Sequence, residues 1–105
     1  MDRLLTMRVF QAVADEGGFS AAARKLDMSV PTVTRLVADL EQHLGTRLMQ
    51  RTTRRVSLTG AGEAYLERVR SILAEVEDAF SMAQAHTMEL SGLVRVLMPP
   101  VFAEH

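Results

Sequence analysis

The sequence predicts a mainly α-helical chain: three short helices, a small two-stranded hairpin, then one long helix. Three observations lead there. Apolar residues recur at helical spacing in three stretches before residue 45. Two short apolar runs then flank a cluster of arginines. Finally, Leu66, Val69, Leu73, Val76, Phe80 and Ala83 alternate spacings of three and four, the most regular pattern in the chain.

The first helix is expected over Leu4 to Asp15, where Leu4, Met7, Phe10 and Val13 recur every three residues. Gly17-Gly18 stops it, since glycine accepts the left-handed conformation that ends many helices. Ser20 is the expected N-cap of a second helix through Leu26, rich in alanine. Ala22, Ala23 and Leu26 would face inward, and their small size permits close helix approach. Asp27-Met28 makes a short turn. The third helix buries Val33, Val37, Leu40 and Leu44 along one stripe and ends at Gly45. Three helices with a tight turn between the second and third form a helix-turn-helix arrangement.

Leu48-Met49 and Val56-Ser57-Leu58 read as two short strands, with Gln50 to Arg55 at the hairpin tip. Thr59 caps the last helix, expected to run to about Glu89, and Glu63 and Glu67 complement its dipole. A helix of roughly 30 residues is about 45 Å long, too long for a head of this size to cover. Its seam is expected to meet a second chain; the alternative is that it packs along its own head. Ser91-Gly92 is expected to break this helix, Leu93 to Met98 to form a strand, and Pro99-Pro100 to end it. A lone strand is unstable in water, so residues 91–105 read as the start of a further domain. The expected division is therefore 1–58, 59–90 and 91–105.

The chain has 105 residues, no cysteine and a net charge of −1. Disulfides and thiolate metal sites are thereby excluded. No run of eighteen apolar residues is present, so neither a membrane span nor a signal peptide is expected, and the chain reads as cytoplasmic. The net charge hides an asymmetry. Residues 1–58 carry nine Lys or Arg against six Asp or Glu, a net of +3, and residues 59–105 carry three against seven, a net of −4. Arg47, Arg51, Arg54 and Arg55 fall within nine residues that hold no acid. The head is the part suited to a polyanion.

The start of the third helix, "SVPTVTR", fits that use. A helix-turn-helix places the beginning of its second helix in the DNA major groove. Ser29 can cap it and hold a phosphate with the first free amides. Because the residue before a proline is pushed from helical angles, Val30 is the alternative cap. Pro31 is tolerated in a first turn and stiffens it. Pro31 and Ala38, the short apolar groups of the outward face, can meet thymine methyls, and the hydroxyls of Thr32 and Thr34 can reach phosphates or base edges. Arg35 can bond guanine or a phosphate. Asp39 and Glu41, further along, would meet phosphates in a helix lying flat, which favours entry by the N-terminus. In the hairpin, Arg54 is the expected minor-groove residue, with Thr53 and Arg55 on phosphates. Arg47 and Arg51 are alternatively structural, pairing with acids of the head.

The stretch "FSAAARKLDMSVPTVTRLVADLEQHLGTRLMQRTTRRVSLTGAGEAYL", Phe19 to Leu66, resembles the N-terminal domain of LysR-type transcriptional regulators. The Ala22-Ala23 pair, Ser29, Arg35, Leu40-Glu41, Leu44-Gly45, Leu48, Arg51, Val56, Leu58-Thr59 and Gly62 fall in register. The resemblance implies a winged helix-turn-helix that binds double-stranded operator DNA as a homodimer, held by antiparallel linker helices. It also implies a small-molecule effector bound only by a C-terminal domain, of which "GLVRVLMPP" looks like the first strand. Ser29 to Arg35 and the wing around Arg54 match the family's DNA-contacting positions. Val30 stands where the family often has glutamine, Thr34 where it has serine, and Gly60 where it has glutamate.

An enzyme is not expected. His43, His86 and His105 are far apart, and no HExxH, phosphate loop or nucleophile elbow occurs. No catalytic residue, cofactor or metal is assigned. The rival binding function is a coiled-coil adaptor that forms mixed dimers without an operator of its own.

Overall fold

A computed structural model describes residues 1–51 and 55–97, with side chains over 1–50 and 55–88. Its elements are α1 (Arg3–Glu16), α2 (Phe19–Leu26), α3 (Val30–Leu44), β1 (Met49–Arg51), β2 (Val56–Leu58) and α4 (Gly60–Leu97). The chain divides into two units, Met1–Leu73 and Ala74–His105.

In the first unit, Asp2 caps α1 by accepting the Leu5 amide at 3.0 Å, and Gly17 closes it. The buried face is Thr6, Val9, Phe10, Ala12 and Val13; of the expected stripe, Phe10 and Val13 are buried and Met7 packs against the core, while Leu4 does not. Leu4 is 43% exposed. A strict three-residue repeat advances about 300° per step and drifts off one face of a helix with 3.6 residues per turn. Thr6 is buried without penalty because its hydroxyl donates to the Arg3 carbonyl.

Helix α2 begins one residue before Ser20. Gly18 is its cap position and offers no side-chain bond. Phe19 packs against the core and belongs to the helix, which places Ser20 within the first turn. Ala22 and Ala23 are buried and Leu26 lines the core, as the spacing predicts. Asp27 ends the helix in the left-handed region at φ 56°, a conformation aspartate tolerates better than most residues.

One core gathers Val9, Phe10 and Val13 from α1, Ala22 and Ala23 from α2, and Val33, Val37 and Leu40 from α3. Leu48, Met49 and Val69 complete it. The Phe10 and Tyr65 rings meet at 5.4 Å and 57°, a tilted pair. Burial of Tyr65 pushes its hydroxyl pKa up. At the rim, Arg70 grips Asp15 with both terminal nitrogens, at 2.5 and 3.3 Å. This hydrogen-bonded guanidinium holds the Asp15 carboxyl below the usual aspartate range.

The hairpin is antiparallel, with Met49 opposite Leu58, Gln50 opposite Ser57 and Arg51 opposite Val56. Thr59 caps α4 as predicted, accepting the Gly62 amide at 2.9 Å. The expected dimer seam is divided. Val69 is fully buried in its own head, and Leu66 and Leu73 pack against the same core. These three therefore face inward, because the first turns of α4 complete a core that three short helices leave open.

In the second unit, Val76 is half-buried, while Phe80 and Ala83 are exposed. The helix does not stop at Ser91-Gly92. It continues to Leu97, where a strand over Leu93 to Met98 was expected. A helix satisfies its own amides and a lone strand does not. One interior glycine costs only about 1 kcal/mol against alanine, too little to end a long helix. Met98 and Pro99-Pro100 lie outside the described residues.

Gly62 has the tightest packing of any described glycine: a β-carbon there would overlap the Leu48 carbonyl oxygen. Alanine gains about 1 kcal/mol of helix propensity, but overpacking against backbone costs about 1–3 kcal/mol. Gly62→Ala is thus expected to lower the urea midpoint of the chain. A midpoint equal to or above wild type would contradict the close approach.

Candidate nucleic-acid interface

Ser29, not Val30, caps α3. Its backbone is extended, at φ −78° and ψ 151°, and its Oγ accepts the Thr32 amide at 3.3 Å. The conflict between Val30 and the following proline resolves in favour of the helix, with Pro31 in the first turn, where its missing amide removes no bond. The Ser29 hydroxyl also donates to Thr32 Oγ1 at 2.7 Å. Thr34 Oγ1 donates to the Val30 carbonyl at 2.9 Å. These bonds hold the hydroxyls of the turn in fixed directions. Thr34 spends its proton on the backbone and keeps its acceptor lone pairs. Thr32 accepts from Ser29 and keeps its proton for an outside acceptor such as a phosphate oxygen.

The turn is accessible. Ser29, Pro31 and Arg35 are exposed, Val30 is 40% exposed, and Thr32 and Thr34 are half-buried. Arg35 has no acidic partner among the described residues. The inward face of the same helix is Val33, Val37 and Leu40, all essentially without solvent contact. Leu44, expected on that face, is 42% exposed, because the last turn of α3 runs past the core.

Glu41 takes the inward position near that end, and sequence reasoning placed it wrongly, on the outer side with Asp39. It is 9% exposed, and its Oε2 accepts the amides of Leu48 at 2.8 Å and Met49 at 3.1 Å. The signal was present: residues 33, 37 and 41 stand four apart and share a face. Only Asp39 of the two acids remains outward, so the cost of bringing this helix near phosphates is smaller than the sequence implied.

On the hairpin, Arg55 is exposed and engaged in an interaction of its own. Thr53 and Arg54 lie outside the described residues, as does the side chain of Arg51. Arg47 approaches Glu41, with Nε 4.0 Å from Oε2, while remaining 69% exposed. It pairs with an acid of the head, as one of the two expectations for it held. His43 is exposed in the last turn of α3. Among the described residues, no group of three His, Asp or Glu side chains could hold a metal. Nor is any described helix long and apolar enough to cross a membrane.

Comparison with known proteins places this geometry. Residues 4–63 match the family model described as bacterial regulatory helix-turn-helix protein, lysR family. The chain is 40% identical over 96 residues to the HTH-type transcriptional activator AaeR of Escherichia coli, covering 91% of this chain and 31% of that one. Two solved structures are similar: a BenM DNA-binding domain with catB site 1 DNA, and a CbnR DNA-binding domain with DNA. The first has a TM-score of 0.79 at 32% identity, covering 83% of this chain and 97% of the other. The second has a TM-score of 0.76 at 37% identity, covering 83% and 99%. The chain spans about a third of the length of the curated relatives it matches.

Ser29→Ala removes the cap and the anchor of Thr32, and is expected to cost about 1 kcal/mol of stability by thermal or urea denaturation. Ser29→Asp, which keeps an acceptor, should recover most of it. Equal stability of the alanine variant and wild type would contradict the cap.

Proposed function

Because the chain belongs to the lysR family of bacterial regulatory helix-turn-helix proteins, we propose that it binds double-stranded DNA in a sequence-dependent way and regulates transcription in the bacterial cytoplasm. One observation carries this: the first turn of α3 is slim, capped and exposed, and Arg35 at its edge has no acidic partner among the described residues. Large side chains there would hold a helix out of the groove. The similarity to two domains solved with DNA supports the same function.

The turn enters the major groove by its N-terminus. Val30 and Pro31 meet thymine methyls, Ser29 and Thr32 meet phosphates, Thr34 accepts from a base edge, and Arg35 pairs with guanine O6 and N7 or a phosphate. Valine at position 30 cannot form the paired hydrogen bonds to adenine that a glutamine forms, so the thymine methyl is the target there. Arg54 reads the adjacent minor groove through its width and A·T content, with Thr53 and Arg55 on the backbone.

Two copies associate through α4. Since Leu66, Val69 and Leu73 serve their own head, the contact between copies runs through Val76, Phe80 and Ala83. The exposure of Phe80, at 66%, together with Met82 at 71% and Met88 at 73%, supports such a covered surface. Two heads then read two half-sites of a roughly palindromic operator. An effector, where the full-length relatives have one, is sensed outside residues 1–97.

Selection of bound duplexes from a random DNA pool tests the proposal. The enriched sequences should contain inverted half-sites, and affinity for them should fall steeply with added salt as counterions leave the phosphates. Arg35→Ala should weaken binding to the enriched site by about 1–3 kcal/mol. No enrichment, or affinity untouched by Arg35→Ala and by salt, would instead make the chain a dimerising adaptor.

A further inference from the structure

We infer that Glu41 is a positioning residue for DNA recognition, an inference that rests on the function proposed above: its buried carboxylate locks the wing to the recognition helix, so that both reach the duplex as one body. Glu41 belongs to α3, and its side chain is 10% exposed. The two amides it accepts belong to Leu48 and Met49, the residue before β1 and the first residue of β1. The other strand is tied to the same place. The Thr59 amide donates to the Leu48 carbonyl at 3.0 Å, and Thr59 Oγ1 donates to the Arg47 carbonyl at 2.8 Å. That hydroxyl also accepts the Gly62 amide in the first turn of α4. A continuous run of hydrogen bonds thus passes from α3 through the base of the wing into α4.

Among the described residues, these bonds are the main directional ties at the base of the wing. Each strand has three residues, and a two-stranded ladder this short does not hold its own shape. Leu48 and Met49 are fully buried, and their apolar burial fixes the depth of the base. Burial of apolar surface is non-directional, however, and leaves the wing free to tilt. Charge-assisted hydrogen bonds to one carboxylate oxygen are directional and stronger than neutral ones. Helix α3 itself does not need them, since Gly45 caps it independently through its bonds to the Glu41 and Gln42 carbonyls. Buried as it is, Glu41 acts on DNA through the wing.

The test uses the full 105-residue chain and two duplexes that share one core selected from the random pool. One carries A·T steps in the flanks where the wing would lie, the other G·C steps. Wild type should prefer the A·T flanks. Glu41→Ala should bring that preference to within about twofold of unity while lowering core binding less, and Arg54→Ala added to it should have no further effect, the non-additivity expected of one network. Glu41→Gln keeps an acceptor oxygen and should restore most of the preference, which a mere loss of stability would not do. Thr59→Val, with Thr59→Ser as its rescue, breaks the run from the other side should Glu41→Ala fail to fold by circular dichroism. The inference is overturned if Glu41→Ala and Thr59→Val keep the flank preference, if they lower binding to both duplexes by the same factor, or if wild type has no flank preference. A wild-type chain that binds no duplex overturns the DNA function itself.

Discussion

The carboxylate of Glu41 sits almost out of solvent and takes the amide protons of two consecutive residues, Leu48 and Met49. A charged group in that position is costly unless it is hydrogen-bonded, and here two backbone amides donate to its Oε2. What the bond joins gives it weight. On one side is the helix whose first turn is exposed; on the other is a ladder of three residues per strand that has no stability alone. Thr59 and Gly62 extend the junction into the long helix. Gly62 is there because no β-carbon fits against Leu48. Recognition helix, wing and the beginning of α4 meet within one small patch of backbone.

The exposed end of α3 depends on the opposite kind of design. Its strength is local: a serine that accepts one amide and donates one hydroxyl proton, a proline that fixes φ, and a threonine that bonds back to its own helix. Each of these ties costs little side-chain bulk. A turn built this way keeps its shape without being covered, which a groove-entering element requires. Val33, Val37 and Leu40 anchor the same helix to the core a turn or two further on. The rigidity needed at the tip is therefore supplied by capping at one end and packing at the other.

Much of this was legible in the residues. The three helices, the hairpin, the Thr59 cap and the Gly45 terminator follow from spacing and turn chemistry, and the structure has them. Three kinds of feature were not legible. Helix ends were one: Leu4 opens a three-residue repeat that drifts off the buried face, and Leu44 stands in a last turn that runs past the core, so both are more exposed than the spacing suggests. Buried polar groups were missed, because a glutamate in a helix reads as solvated until the amides that need it are placed beside it. The chain beyond Ser91-Gly92 was read from local breakers, yet α4 continues to Leu97 because a helix already under way costs less to extend than to exchange for an unpaired strand. Within the interface, the first turn of α3 stands where the spacing put it, whereas Thr53 and Arg54 lie outside the described residues.

On the inference drawn above, Glu41 joins the wing base and the recognition helix into a single rigid junction. Native-state amide hydrogen exchange reads this directly. The Leu48 and Met49 amides should exchange as slowly as core amides of α1 and α3, opening only with global unfolding. Exchange of those two amides orders of magnitude faster than the core, in a chain that remains folded, would mean that the wing moves independently and that the junction does not exist.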